Sequence, residues 1–225
     1  MTITDELVSF IGTAKPSEAA LMTAATQLDV IRRRLRDSGQ TTRNAHPAGT
    51  PTAMNLAWRT AISAGGKESW LSVCATVIAL QHRAAGPETI AVDAVAVGNV
   101  VADHMHAPLR STPTADRWSH HSVAGIVGAG AAAGRFLELE DAELRNLLGL
   151  CATQAAGLAG SEATEAGTLQ LAKAAADAIE AATLARHGFT SSTDGFSGRR
   201  GLFEVLAPGA AWPVGLGAGQ GTAGD

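Results

Sequence analysis

VAGIVGAGAAAGRFLELEDAELRNLLGLCATQAAGL, residues 123–158, is the stretch whose reading decides the fold class. Apolar residues recur at helical spacing on both sides of a polar break around Glu138 to Asp141, which predicts consecutive helices over 121–136 and 140–158. Gly125, Gly128, Gly130 and Gly134 fall inside the first helix, where each costs about 1 kcal/mol relative to alanine. Something must offset that cost. The simplest source is a neighbouring helix packed so closely that backbone approaches backbone. A phosphate loop is the rival reading of GAGAAAG, 128–134, but no strand precedes it and no Lys-Ser/Thr follows, so a nucleotide site is not expected.

Outward from this stretch the same periodicity predicts helices over 3–12, 17–36, 53–64, 70–84, 88–105 and 168–187, with little strand signal. Pro16 at a first turn and Gly39 after an Arg-rich end are consistent punctuation. The expected fold is a single all-α domain over 1–207. SGQTTRNAHPAGTPT, 38–52, reads as a mobile surface loop. The tail PGAAWPVGLGAGQGTAGD, from 208 to 225, reads as disordered unless Trp212 docks on the body.

Composition sets the class of partner. The 225 residues are 46% hydrophobic but only 4% aromatic with no tyrosine, so one core is expected, built mainly from small side chains. A net charge of −4 without a basic stripe excludes nucleic acid and anionic membrane surfaces as expected partners. The cluster Arg32, Arg33, Arg34 and Arg36 lies near a helix C-terminus, where cations favour the dipole. No apolar run is long enough to span a membrane, and MTITDELVSF lacks a secretory signal, so a cytoplasmic location is expected. Cys74 and Cys151 sit in apolar helical patterns without CxxC spacing and read as buried reduced thiols. No cofactor is expected.

Few side chains can carry chemistry. His120 and His121, in DRWSHHSVAG (116–125), either face a pocket or merely open a helix; held against Asp116 or Glu162, one of them could shuttle a proton near neutral pH. Asp103, His104 and His106, in ADHMHAPL (102–109), resemble a zinc cluster, but no distant third ligand is marked, so no metal site is expected. Trp58, Arg59 and Trp70 could line a pocket, with the core as the alternative place for both tryptophans. Ser161 and Glu162 fall in a polar interruption between apolar helices, and Lys67 and Glu68 read as solvated charges.

The segment HSVAGIVGAGAAAGRFLELEDAELRNLLGLCATQAAGL (121–158), with LQLAKAAADAIEAATLARHGFT (169–190) and FSGRRGLFEVLAPG (196–209), resembles the MmgE/PrpD family. That family includes 2-methylcitrate dehydratase and cis-aconitate decarboxylase. Similarity is strongest over about 119–207. The resemblance implies the family's large helical domain, and a dimer formed through it or a hetero-oligomer with another family member. It also implies that the second, α/β domain of family members is absent, so that the cleft is open or closed by another chain.

The resemblance implies lost chemistry as well. Ala57, Trp58, Arg59 and Thr60 align with an Asp-Phe-Asp-Asp motif, and Gly66 lies near the His of a His-Pro-Gly motif. Ser119 replaces the helix-entry His, Gly167 a Lys, and Gln170 the His of a Leu-His motif, while Lys173 keeps the charge of an Arg. Proton abstraction from a polyanion and expulsion of hydroxide or carbon dioxide need a base, an acid and cations. The usual dehydratase or decarboxylase reaction is therefore not expected.

Three readings stay open. One is a repurposed enzyme acting on a more apolar small molecule by cyclisation, isomerisation or dehydration, in bacterial specialised metabolism; its expected catalytic residues are His120, His121 and Glu162, and its substrate contacts Trp58, Arg59, Ser119, Gln170 and Lys173. The second is a non-catalytic subunit that completes another family member's cleft. The third is a small-ligand binding protein.

Overall fold

The computed structural model describes residues 2–37, 52–112, 115–213 and 215–216. The expected mobile loop, up to residue 51, and the last part of the expected tail lie outside them. Nine α-helices are described: α1 (Ile3–Thr13), α2 (Glu18–Asp37), α3 (Thr52–Ala64), α4 (Trp70–Ala84), α5 (Glu88–Arg110), α6 (His120–Phe136), α7 (Asp141–Gln154), α8 (Glu165–Arg186) and α9 (Leu202–Leu206). Among the described residues the sole β-type pairing is an isolated bridge between Trp118 and Leu158. The fold is all-α, as the periodicity predicts.

The centre is α6. Every residue from Ser122 to Gly134 is buried, as a helix apolar on all sides must be. Its glycines admit neighbours on several sides. A Cβ on Gly128 would lie 2.6 Å from the Gly98 carbonyl of α5, and one on Gly98 would lie 2.6 Å from the Gly128 carbonyl. Gly125 faces Ser72 of α4, Gly130 faces Cys151 of α7 and Gly134 faces Leu144 of α7. Backbone does meet backbone at Gly98 and Gly128, and this close approach offsets the propensity cost.

Local signals set several boundaries. Thr2 and Asp5 form a reciprocal capping box at α1, and Glu140 and Glu143 form one at α7. Ser119 caps α6 by accepting from the Ser122 amide at 3.3 Å. Arg135 at the end of α6 pairs with Asp93 at 2.7 Å and also donates to the carbonyls of Ile11, Gly12 and Ala14, tying α1 and α5 to the centre. Of the Arg-rich cluster, Arg32 pairs with Glu88 at 2.7 Å and Arg34 donates to the carbonyls of Ala64 and Gly65.

Three boundaries differ from the periodicity, and one helix is added to it. Helix α5 continues through Pro108 to Arg110, because burial of Met105, Pro108 and Leu109 outweighs the lost amide. Helix α7 stops at Gln154 rather than 158: Ala155 is extended and Gly157 has φ +136°, a conformation that favours glycine. Helix α8 starts at Glu165, three residues earlier than the pattern suggests, because Thr164 caps it. Helix α9 is too short for the periodicity to signal. Beyond it Trp212 docks: its indole N–H donates to Glu6 at 2.9 Å, the Leu216 amide donates to the same carboxylate at 2.9 Å, and the ring meets His104 edge-on at 4.7 Å. The described part of the expected disordered tail is thus held against α1 and α5.

Candidate functional site

Three helix N-termini meet at one end of the bundle. Ser72 and Thr76 of α4 donate to the carbonyls of Leu171 and Ala175 of α8 at 2.9 and 3.0 Å, so these helices run parallel and in register. A Cβ on Gly125 of α6 would meet both Ser72 and Leu171. Helix α5 runs the opposite way and brings its C-terminal half to the same end. Aligned helix N-termini carry partial positive charge.

Histidines gather there. His106 of α5 and His121 of α6 meet edge-on with ring centroids 5.0 Å apart. The buried Ser69 hydroxyl lies between them, 2.8 Å from His106 Nε2 and 3.4 Å from His121 Nδ1. Glu68 Oε2 lies 3.6 Å from His121 Nδ1. Burial, then the neighbouring His121, Arg110 and His120, lowers the His106 pKa to about 4. His120 Nε2 is buried and accepts or donates no hydrogen bond among the described residues.

With its proton on Nδ1, His121 would face the Glu68 carboxylate, which can only accept, across a contact too long for a hydrogen bond. That leaves His121 Nε2 with a lone pair. Ser69 can then accept weakly from His121 and donate to His106 Nε2.

A cavity of about 170 Å³ lies beside the same helix starts, lined by Ser122, Ile126, Gln154, Gly157, Gln170 and Lys173 among others. Gln170 donates through Nε2 to the Leu158 carbonyl at 3.3 Å, while its buried Oε1 has no hydrogen-bond partner among the described residues. A Cβ on Gly157 would strike Gln170 Oε1 and come within 3.0 Å of Ser119 and Ser122, so glycine is required to fit this corner. Lys173 pairs with Asp177, one turn along α8. Its charge is therefore locally compensated.

The expected site residues fall into separate groups. Ser119 is buried and serves as the α6 cap. Gln170 and Lys173 share the cavity, while Trp58 and Arg59 lie on α3 and are not among its lining residues. Trp58 and Trp70 both pack, half-buried, against the core. The carboxylate beside His121 is Glu68, neither Asp116 nor Glu162; Glu162 instead closes the single 3-10 turn before α8. Glu68, read as a solvated charge, stays largely exposed but has a histidine partner.

Asp103, His104 and His106 do not converge: His104 turns to Trp212 and the Pro213 carbonyl, and His106 to Ser69. Among the described residues no group of three or more His, Cys, Asp or Glu is placed to hold a metal. Cys74 and Cys151 are both fully buried and unpaired, and burial raises both thiol pKa values. Sequence reading missed Ser69 and the inward role of His106, since 37 positions separate the two and no local spacing joins them.

The family model of the MmgE/PrpD N-terminal domain matches residues 72–214. The chain belongs to the MmgE/PrpD family. No curated protein matches it. The match extends further toward the N-terminus than the resemblance read from the sequence and takes in α4 and α5, so His106 lies within the MmgE/PrpD match together with Ser119, His120, His121, Glu162, Gln170 and Lys173. Trp58, Arg59, Glu68 and Ser69 precede it. No helix among the described residues of this MmgE/PrpD chain is long and apolar enough to cross a membrane.

Proposed function

We propose that this MmgE/PrpD-family chain is a repurposed enzyme that moves a proton on a small, relatively apolar molecule, as in a cyclisation, isomerisation or dehydration. The observation that carries the reading is the line Glu68, His121, Ser69, His106, at 3.6, 3.4 and 2.8 Å. A carboxylate behind Nδ1 orients an imidazole and stabilises the imidazolium formed when Nε2 accepts a proton. His121 is the acid–base group in this reading, Glu68 and Ser69 position it, and neutral His106 accepts from Ser69. Gln170 Oε1 offers an acceptor to a hydroxyl or N–H of the substrate. Compensation of Lys173 by Asp177 disfavours a polyanion.

The test needs no knowledge of the product. Small unsaturated, keto and hydroxy acids and their neutral esters are incubated with the protein in D2O, and loss of carbon-bound proton signal is followed by NMR. Exchange catalysed by the wild type and lost in His121→Ala supports the proposal. Exchange unchanged by His121→Ala, or none with any compound, removes its basis.

A second reading is supported by Leu158, whose carbonyl accepts from Gln170, and Leu169, which precedes Gln170 in α8; the two residues are 60% and 43% exposed. Large apolar side chains left open next to a cavity-lining residue suit cover by another chain, as expected of a non-catalytic subunit completing a family member's cleft. Light scattering after co-expression with a full-length family member tests it: a heteromeric mass supports this reading, and unmixed species oppose it.

A further inference from the structure

On the far side of the segment that ends α7 lies a second groove, with a volume of about 760 Å³. The wall between the two spaces is the last residue of α7 and the chain that leaves it: Ala155 lines this groove, whereas Gln154, Ala156 and Gly157 line the Gln170 cavity. Its floor comes from α7 and its rim from the loop and short helix over 192–206.

The groove has two unlike halves. Arg199 and Arg200 stand at one part, both exposed, and neither makes a hydrogen bond or ion pair among the described residues. This sets them apart from Arg32, Arg135 and Arg145, each of which is held by a carboxylate. The carboxylate within the groove, Asp194, is engaged by Ser197, whose amide and hydroxyl donate to it at 3.0 and 2.7 Å. Along the other part run Ala152, Ala155, Leu202, Leu206 and Val205, and Val205 is 61% exposed. Two guanidinium groups can grip one carboxylate or phosphate in bidentate fashion, and a volume this large exceeds what such a headgroup fills.

We propose that this groove binds an amphiphilic anion, with its carboxylate or phosphate on Arg199 and Arg200 and its apolar body along Val205, Leu206 and Ala155. The site is separate from the His121 line, so it stands or falls independently of the acid–base reading. The intact protein is titrated by calorimetry with decanoate, decyl phosphate, decanol and inorganic phosphate. Arg199→Gln, Arg200→Gln and the double variant are compared with wild type, and circular dichroism melts check that these exposed substitutions leave the fold intact.

The expected result is saturable binding of decanoate or decyl phosphate that weakens about tenfold with each single substitution, the scale of one charge-assisted contact. Decanol and inorganic phosphate are expected to bind far more weakly than either amphiphile. A preference for decyl phosphate over decanoate would assign the head as phosphate, and the reverse as carboxylate. Binding that the arginine variants leave unchanged, equal binding of decanol, or no binding by either amphiphile overturns the proposal.

Discussion

His106 is the residue at which the candidate site couples to stability. Its imidazole lies among Ser69 of the α4 entry, His121 and His120 of α6, and Arg110 of its own helix, so nothing facing it favours a positive charge. With a folded pKa of about 4 against an ordinary value of 6.5, protonation favours the unfolded chain. Stability from this group is fully present above pH 6.5 and is lost progressively as pH falls through 4. Urea melts between about pH 7 and pH 4.5 are expected to show a steeper loss for wild type than for His106→Gln, which keeps a polar side chain but does not titrate. Equal slopes would mean that His106 takes up its proton as readily folded as unfolded. The same residue shows the limit of local spacing. Beside Asp103 and His104 it suggests a metal ligand, yet in the helix its ring points to a serine on another element. His121 is legible as a candidate because it opens a helix; its partners Glu68 and Ser69 are not, being brought in only by the packing of α4 on α6.

At the scale of the helix, the four glycines of α6 make different demands, which their replacement separates. A methyl on Gly128 meets the Gly98 carbonyl at 2.6 Å and Ala102 Cβ at 2.7 Å, atoms held on the backbone of α5. The helices must then separate, and Gly128→Ala is expected to cost a net of about 2 kcal/mol, since overpacking at the upper end of about 1–3 kcal/mol is offset by about 1 kcal/mol of helix propensity. In a chain of this length that lowers the melting temperature by roughly 4–8 °C. A methyl on Gly134 meets the tips of Leu144 and Leu147 instead, which can turn aside. Gly134→Ala also gains about 1 kcal/mol of helix propensity, so its melting temperature is expected to stay within a few degrees of wild type. Equal effects of the two substitutions would show that backbone contact does not set the spacing of α5 and α6. This is the most legible part of the fold, since a glycine-bearing apolar helix recovers its propensity cost chiefly through close packing. The end of α7 is less so: QAAGL continues an apolar pattern, and only the crowding of Gly157 by Gln170, Ser119 and Ser122 shows why the chain must leave the helix there.

Across the whole molecule, the first helix and the last described residues are tied together through His104 of α5, two residues from His106. Glu6 of α1 accepts from the Trp212 indole and the Leu216 amide, His104 of α5 contacts both the indole and the Pro213 carbonyl, and Phe203 of α9 packs 5.5 Å from the same indole. A composition rich in glycine and alanine hides this order, because a single tryptophan supplies most of the apolar surface that can hold the segment. Trp212 is only partly buried, so Trp212→Ala is expected to cost about 1–3 kcal/mol, less than the loss of a fully buried indole. The effect should also be local. Hydrogen exchange is expected to speed up over 208–216, α9 and the start of α1, while α6 keeps its protection, since the core around Gly128 does not touch the indole. Glu6→Gln, which keeps an acceptor but loses the charge, is expected to give a weaker version of the same pattern. Faster exchange spread evenly over α4, α6 and α8 would instead mean that the terminal clasp is part of one cooperative unit with the histidine end of the bundle. Changes there would then reach His121 through the fold.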